Sequence, residues 1–120
     1  MVYHFATRLE EYLCKEKAFL NPKLTLSELA LHVGTNRTYL SNYINQQLNQ
    51  TFYDYVNALR LTHATDLLVT TNLTLEVIAE KSGFNSLSTF RRCFLQRYGT
   101  SPSLYKKEHS QRKITWKNMS

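Results

Sequence analysis

Residues 78–107 read IAEKSGFNSLSTFRRCFLQRYGTSPSLYKK. Ile78 and Ala79 lie on an apolar helical side, and Gly83, four residues after Ala79, ends that pattern by accepting φ > 0. Asn85 or Ser86 then caps a new helix with Phe90 and Phe94 one turn apart on its inner side. Ser101-Pro102 opens a further short helix, because Pro is tolerated at the first helical position.

The same grammar occurs earlier. Thr25-Leu-Ser-Glu28 forms a capping box, followed by Leu26, Leu29, Ala30 and Val33 on one side. Gly34 comes four residues after Ala30. Asn36 or Thr35 then caps a third helix, whose expected inner face is Tyr39, Leu40, Tyr43 and Ile44. Two short helices around a tight Gly turn, with a small Ala allowing close approach, make a helix-turn-helix pattern. Any pair of antiparallel helices can show one copy. Two copies roughly fifty residues apart are much harder to obtain by accident.

The rest of the chain is also helical in pattern. Residues 3–19 place Phe5, Leu9, Tyr12, Leu13 and Phe19 near a 3.6-residue period, and Asn21-Pro22 stops them. A long helix is expected from Phe52 to Val69, with Phe52, Tyr55, Val56, Leu59, Leu67 and Leu68 inward. Thr70-Thr71-Asn72 breaks it, and Thr74 opens a fifth helix. The expectation is an all-α fold, about seven helices forming two helix-turn-helix subdomains joined by a long central helix. Its divisions are 1–50, an N-terminal helix plus the first subdomain; 51–70, the linking helix; 71–109, the second subdomain; and 110–120, a flexible basic tail with Trp116.

Composition narrows the function. The 120 residues are 42% apolar, which suffices for a core, while three Gly and two Pro are too few for a turn-rich β fold. No apolar run approaches 18 residues, so no membrane contact is expected. There is no secretory pattern, and two cysteines (Cys14 and Cys93) fit a reducing, cytoplasmic setting without a disulfide framework. The net charge of +6 suits an anionic partner. Lys81, Arg91, Arg92, Arg97, Lys106 and Lys107 occupy a stretch without a single acid, and Glu28 to Asp54 has none between them. Such stretches approach phosphates without like-charge repulsion.

On a wheel of about 100° per residue, the third helix turns Thr38, Ser41, Asn42, Asn45 and Gln46 outward. This face is uncharged and rich in amides, which pair bidentately with adenine, whereas ordinary wet helix faces carry Lys and Glu. The sixth helix turns Ser88, Arg92, Leu95 and Gln96 outward, with Arg91 on its shoulder. Arg prefers guanine O6/N7, so one of the two consecutive arginines is suited to a base and the other to a phosphate.

These residues resemble the AraC/XylS family of bacterial transcription regulators from about Leu9 to Glu108. The marks are LSELA and Gly34 within 26–34, TYLSNYI (38–44), the pattern 52–64, and above all 78–107. The resemblance implies sequence-specific binding of double-stranded DNA, with reading helices at about 36–46 and 86–97 in successive major-groove segments. Expected base-edge residues are Thr38, Ser41, Asn42, Asn45, Leu87, Ser88, Arg91 and Arg92, although the wheel places Leu87 near the core side. Expected phosphate contacts are Arg37, Gln46, Asn85, Ser86, Thr89 and Arg97. The chain departs from the family pattern at Asn49, often Gly; at Lys106, usually Arg; and at Leu95, often basic. Many members join this module to a sensor domain, so a C-terminal part of a longer regulator, an activator among the possibilities, is expected. RNA polymerase and a sensor or dimerisation domain are the further candidate partners.

An enzyme would need convergent polar groups. His4, His32, His63 and His109 are scattered without metal spacing, and no phosphate loop or nucleophile elbow occurs. No enzymatic activity, metal or cofactor is expected. The competing reading is a helical protein-interaction module without sequence-specific DNA binding, whose mark would be an exposed apolar stripe.

Overall fold

Side-chain caps set most helix starts. Thr25 Oγ1 accepts from the Glu28 N–H at 3.1 Å, Asn36 Oδ1 from Tyr39 at 3.0 Å, Thr74 Oγ1 from Val77 at 3.3 Å and Ser86 Oγ from Thr89 at 3.1 Å. Each such cap stabilises its helix by about 1 kcal/mol. Asn36 rather than Thr35, and Ser86 rather than Asn85, takes the role. In the computed structural model, which describes residues 3–109, the elements are α1 (Ala6–Glu10), α2 (Leu26–Val33), α3 (Arg37–Gln47), α4 (Phe52–Thr70), α5 (Leu75–Lys81), α6 (Leu87–Tyr98) and α7 (102–109). No strand occurs among the described residues. The tail 110–120, with Trp116, lies outside them.

The chain divides after Arg60 into two compact units, with α4 contributing to both. The first core gathers Leu9, Leu13, Leu29, Leu40, Ile44 and Val56. The second gathers Leu61, Ala64, Leu68, Ile78, Ala79, Phe90 and Phe94. Both helix-turn-helix turns close with the same bond: the Thr35 N–H donates to Ala30 O at 2.9 Å, and the Phe84 N–H to Ala79 O at 3.0 Å. The residue between bears the reversal, Gly34 at φ +82° and Gly83 at φ +91°.

The structure differs from the expected pattern in one helix, one inward residue and one incomplete inner face. Residues 3–19 are not one helix. After α1 the backbone passes through a π turn (Glu11–Lys15), with the Glu16 N–H on Glu11 O at 2.8 Å. Lys17 then adopts φ +59° and a 3-10 turn covers Ala18–Leu20. Arg60 holds the segment beyond the π turn: its Nε donates to Phe19 O at 2.7 Å and its Nη2 to Asn21 O at 2.9 Å. Those carbonyls are satisfied outside a helix, and Phe19 reaches the first core.

Tyr39 is 56% exposed rather than inward. Tyr43, one turn later, takes the ring contacts with Tyr3 (4.9 Å) and Phe5 (5.4 Å). On α4, the most buried positions include Asn57, Leu61 and Ala64, which the expected inner face omitted. That face assumed one stripe, whereas α4 packs into one core with Val56 and into the other with Leu61, Ala64 and Leu68.

Candidate nucleic-acid interface

The two helices singled out for reading both follow a capped turn. On α3, Thr38, Asn42, Asn45 and Gln46 are exposed and Ser41 is half-buried, while Leu40 and Ile44 fill the core. Asn45 Nδ2 lies 3.4 Å from Ser41 Oγ, so this pair partly orients itself. Arg37, in the first turn, is exposed. Just past the end of the helix, Asn49 holds φ +55°, and the Gln50 N–H reaches back to Ile44 O at 3.3 Å. This is the left-handed stop that Asn can adopt in place of Gly.

On α6, Ser88, Arg91, Arg92, Gln96 and Arg97 are exposed, and Phe90, Cys93 and Phe94 are buried. Arg97 lies 5.9 Å over the Tyr98 ring. Asn85 is exposed. Ser86 and Thr89 are occupied with capping: besides the backbone bond, their hydroxyls lie 3.0 Å apart. Leu87 is half-buried against the second core, as the wheel indicated. Leu95 is 55% exposed and forms no part of that core. Lys106 Nζ donates to Thr71 O at 3.3 Å, so this lysine serves packing of the second unit.

Sequence reasoning missed Tyr39 as a surface residue beside the α3 face. Its signal was present: residues 39 and 46 fall close together on the wheel, next to the amide-rich arc.

No group of three or more His, Cys, Asp or Glu able to hold a metal occurs among the described residues. Cys14 and Cys93 are free thiols. Burial, and secondarily Glu10, raises the Cys14 pKa, which disfavours the reactive thiolate. Its partner Tyr55 is pushed up to about 12, mainly by burial. His109 Nδ1 sits 2.8 Å from Tyr105 O in a local contact. No helix among the described residues is long and apolar enough to cross a membrane.

The fold and these faces define an all-helical module with two helix-turn-helix units. Residues 29–108 match the family described as a helix-turn-helix domain, and the chain belongs to the AraC/XylS family of DNA-binding transcription regulators. It is similar to the melibiose operon regulatory protein of Escherichia coli (strain K12), with 33% identity over 93 residues, 78% of this chain and 31% of that protein. The chain thus spans about a third of the length of this curated relative. The C-terminal domain of AraT, a response regulator from Geobacillus stearothermophilus, superposes with a TM-score of 0.80 at 29% identity, covering 88% of this chain and 86% of that one. The DNA-binding domain of AdpA, a global transcriptional factor solved with a target DNA, shares the fold at a TM-score of 0.83 and 17% identity, over 94% and 98% of the two chains.

Proposed function

We propose that this chain binds double-stranded DNA sequence-specifically in bacterial transcription regulation. The observation that carries the reading is the exposed, uncharged, amide-bearing face of α3, Thr38, Asn42, Asn45 and Gln46, in a stretch without acids. Such side chains suit base edges, and the charged face of α6 suits guanine and phosphate. Base-edge contacts are assigned to Thr38, Ser41, Asn42, Asn45, Ser88, Arg91 and Arg92, with Leu87 limited to a methyl contact from its half-buried position. Phosphate contacts are assigned to Arg37, Gln46, Asn85 and Arg97. Ser86 and Thr89 join them only through groups that capping leaves available. In this reading residues 1–50 and 71–109 are the two reading subdomains, residues 51–70 link them, and both helices enter successive major-groove segments.

The relatives' names support the regulatory role: one regulates an operon and another domain was solved on its target DNA. A cytoplasmic location, a sensor or dimerisation domain elsewhere in a longer regulator, and contact with RNA polymerase follow from the same reading. So does the absence of an enzymatic step in this segment. The competing interaction module draws on exposed Leu31, Leu95 and Leu104. A salt titration with duplex DNA separates the two. If roughly 6–10 phosphates are neutralised, log K should fall with log salt at a slope of about −5 to −9. A flat response would overturn the DNA reading.

A further inference from the structure

A cleft of about 560 Å³ in the first unit lies on the flank of α3, beside the amide face. Tyr39 of α3 and Thr35 of the turn form one wall, and the N-terminal segment supplies Tyr3, His4, Phe5 and Arg8. No carboxylate lines it. Tyr3 and Phe5 are pinned by edge contacts to Tyr43, which hold the segment carrying exposed His4 alongside α3. Arg8 is exposed, and its Nη2 donates to His32 O at 3.1 Å. That bond anchors one arm of the guanidinium; a guanidinium has five N–H donors, so others remain for an anion.

The cleft therefore combines an anchored cation, an exposed imidazole, a phenol and apolar rings at the border of the face assigned to base reading. We propose that it takes one sugar-phosphate unit of the DNA backbone, with Arg8 and the Tyr39 hydroxyl on the phosphate oxygens and the rings against deoxyribose. His4 stands as a further donor. The proposal rests on the DNA-binding reading and extends the interface to residues ahead of the 29–108 family match. Arg8 and Tyr39 would fix the register of α3 without reading sequence.

The test uses a duplex selected from a random library, with each phosphate replaced in turn by a neutral methylphosphonate. Wild type should lose affinity at one linkage flanking the α3 half of the site. Arg8→Gln should weaken every duplex about five-fold, lower the salt slope by about one, and become indifferent to that same linkage. Arg8→Lys should keep the slope, and Tyr39→Phe should lose about two-fold. Arg8→Gln that keeps the wild-type slope, or is equally sensitive at all linkages, overturns the cleft contact while leaving the DNA reading intact. Benzoate binding that quenches tyrosine fluorescence, with DNA affinity independent of Arg8, would also overturn it in favour of a small-acid pocket. A wild-type chain without salt-dependent duplex binding removes the DNA reading and this proposal together.

Discussion

The two helix-turn-helix units share one local plan and differ in what surrounds it. Each places Ala, Gly and a five-residue backbone bond at the turn: Ala30, Gly34 and Thr35 in the first, Ala79, Gly83 and Phe84 in the second. Each opens its reading helix with a side-chain cap. Yet Gly34 is exposed, and a Cβ added there would meet nothing within 4 Å, whereas Gly83 is buried. The faces diverge as well. α3 offers amides and hydroxyls with one arginine in its first turn, and α6 offers Arg91, Arg92 and Arg97. Local grammar thus repeats while environment and exposed chemistry are set separately, so the units should fail in different ways under the same kind of change.

The turns give the largest expected contrast. Gly83→Val meets both a positive φ and a buried site, and should cost about 2–4 kcal/mol. Gly34→Val meets the φ strain alone and should cost about 1–2 kcal/mol. Chemical denaturation of the two variants checks the order. Equal losses would show that the surroundings of the turn are unimportant.

The reading faces come next. Asn42→Ala and Arg92→Ala should each cost about 1–3 kcal/mol on the cognate duplex and relax preference at different parts of the site. Arg37→Ala should weaken random and cognate duplexes alike and reduce the salt slope by about one. Competitive binding against randomised duplexes measures this. If Arg92→Ala lowers affinity uniformly while Asn42→Ala shifts preference, α6 is an anchor and α3 the sole reader.

The helix ends offer the smallest effect. α3 is followed, after Leu48, by Asn49 at φ +55°, and α6 directly by Gly99 at φ +69°. Asn49→Gly relieves the mild left-handed strain of an L residue and should stabilise by about 0.3 kcal/mol, less any entropy gained by the unfolded chain. Gly99→Asn should destabilise by a similar amount. A shift of both denaturation midpoints in one direction would mean that these ends are not equivalent.

Much of the architecture was legible because it depends on neighbours in sequence. Thr25, Thr74, Gly34 and Gly83 mark helix ends through bonds spanning three to five residues, and Leu40, Ile44, Phe90 and Phe94 follow the helical period into the cores. The amide-rich arc of α3 was readable for the same reason: the wheel is a local geometry. What escaped depended on distant partners. Arg60, forty-one residues beyond Phe19, donates to Phe19 O and Asn21 O and fixes the irregular segment that follows α1. Tyr39 points outward, while Tyr43, one turn later, meets Tyr3 and Phe5. α4 shows no single stripe because Val56 belongs to the first core while Leu61, Ala64 and Leu68 belong to the second. The sequence by itself determined where helices begin, end and turn, since caps and glycines act within a few residues. The tertiary structure decided which apolar residues are buried and which chemistry is left exposed, since burial depends on which distant side chains fill the space.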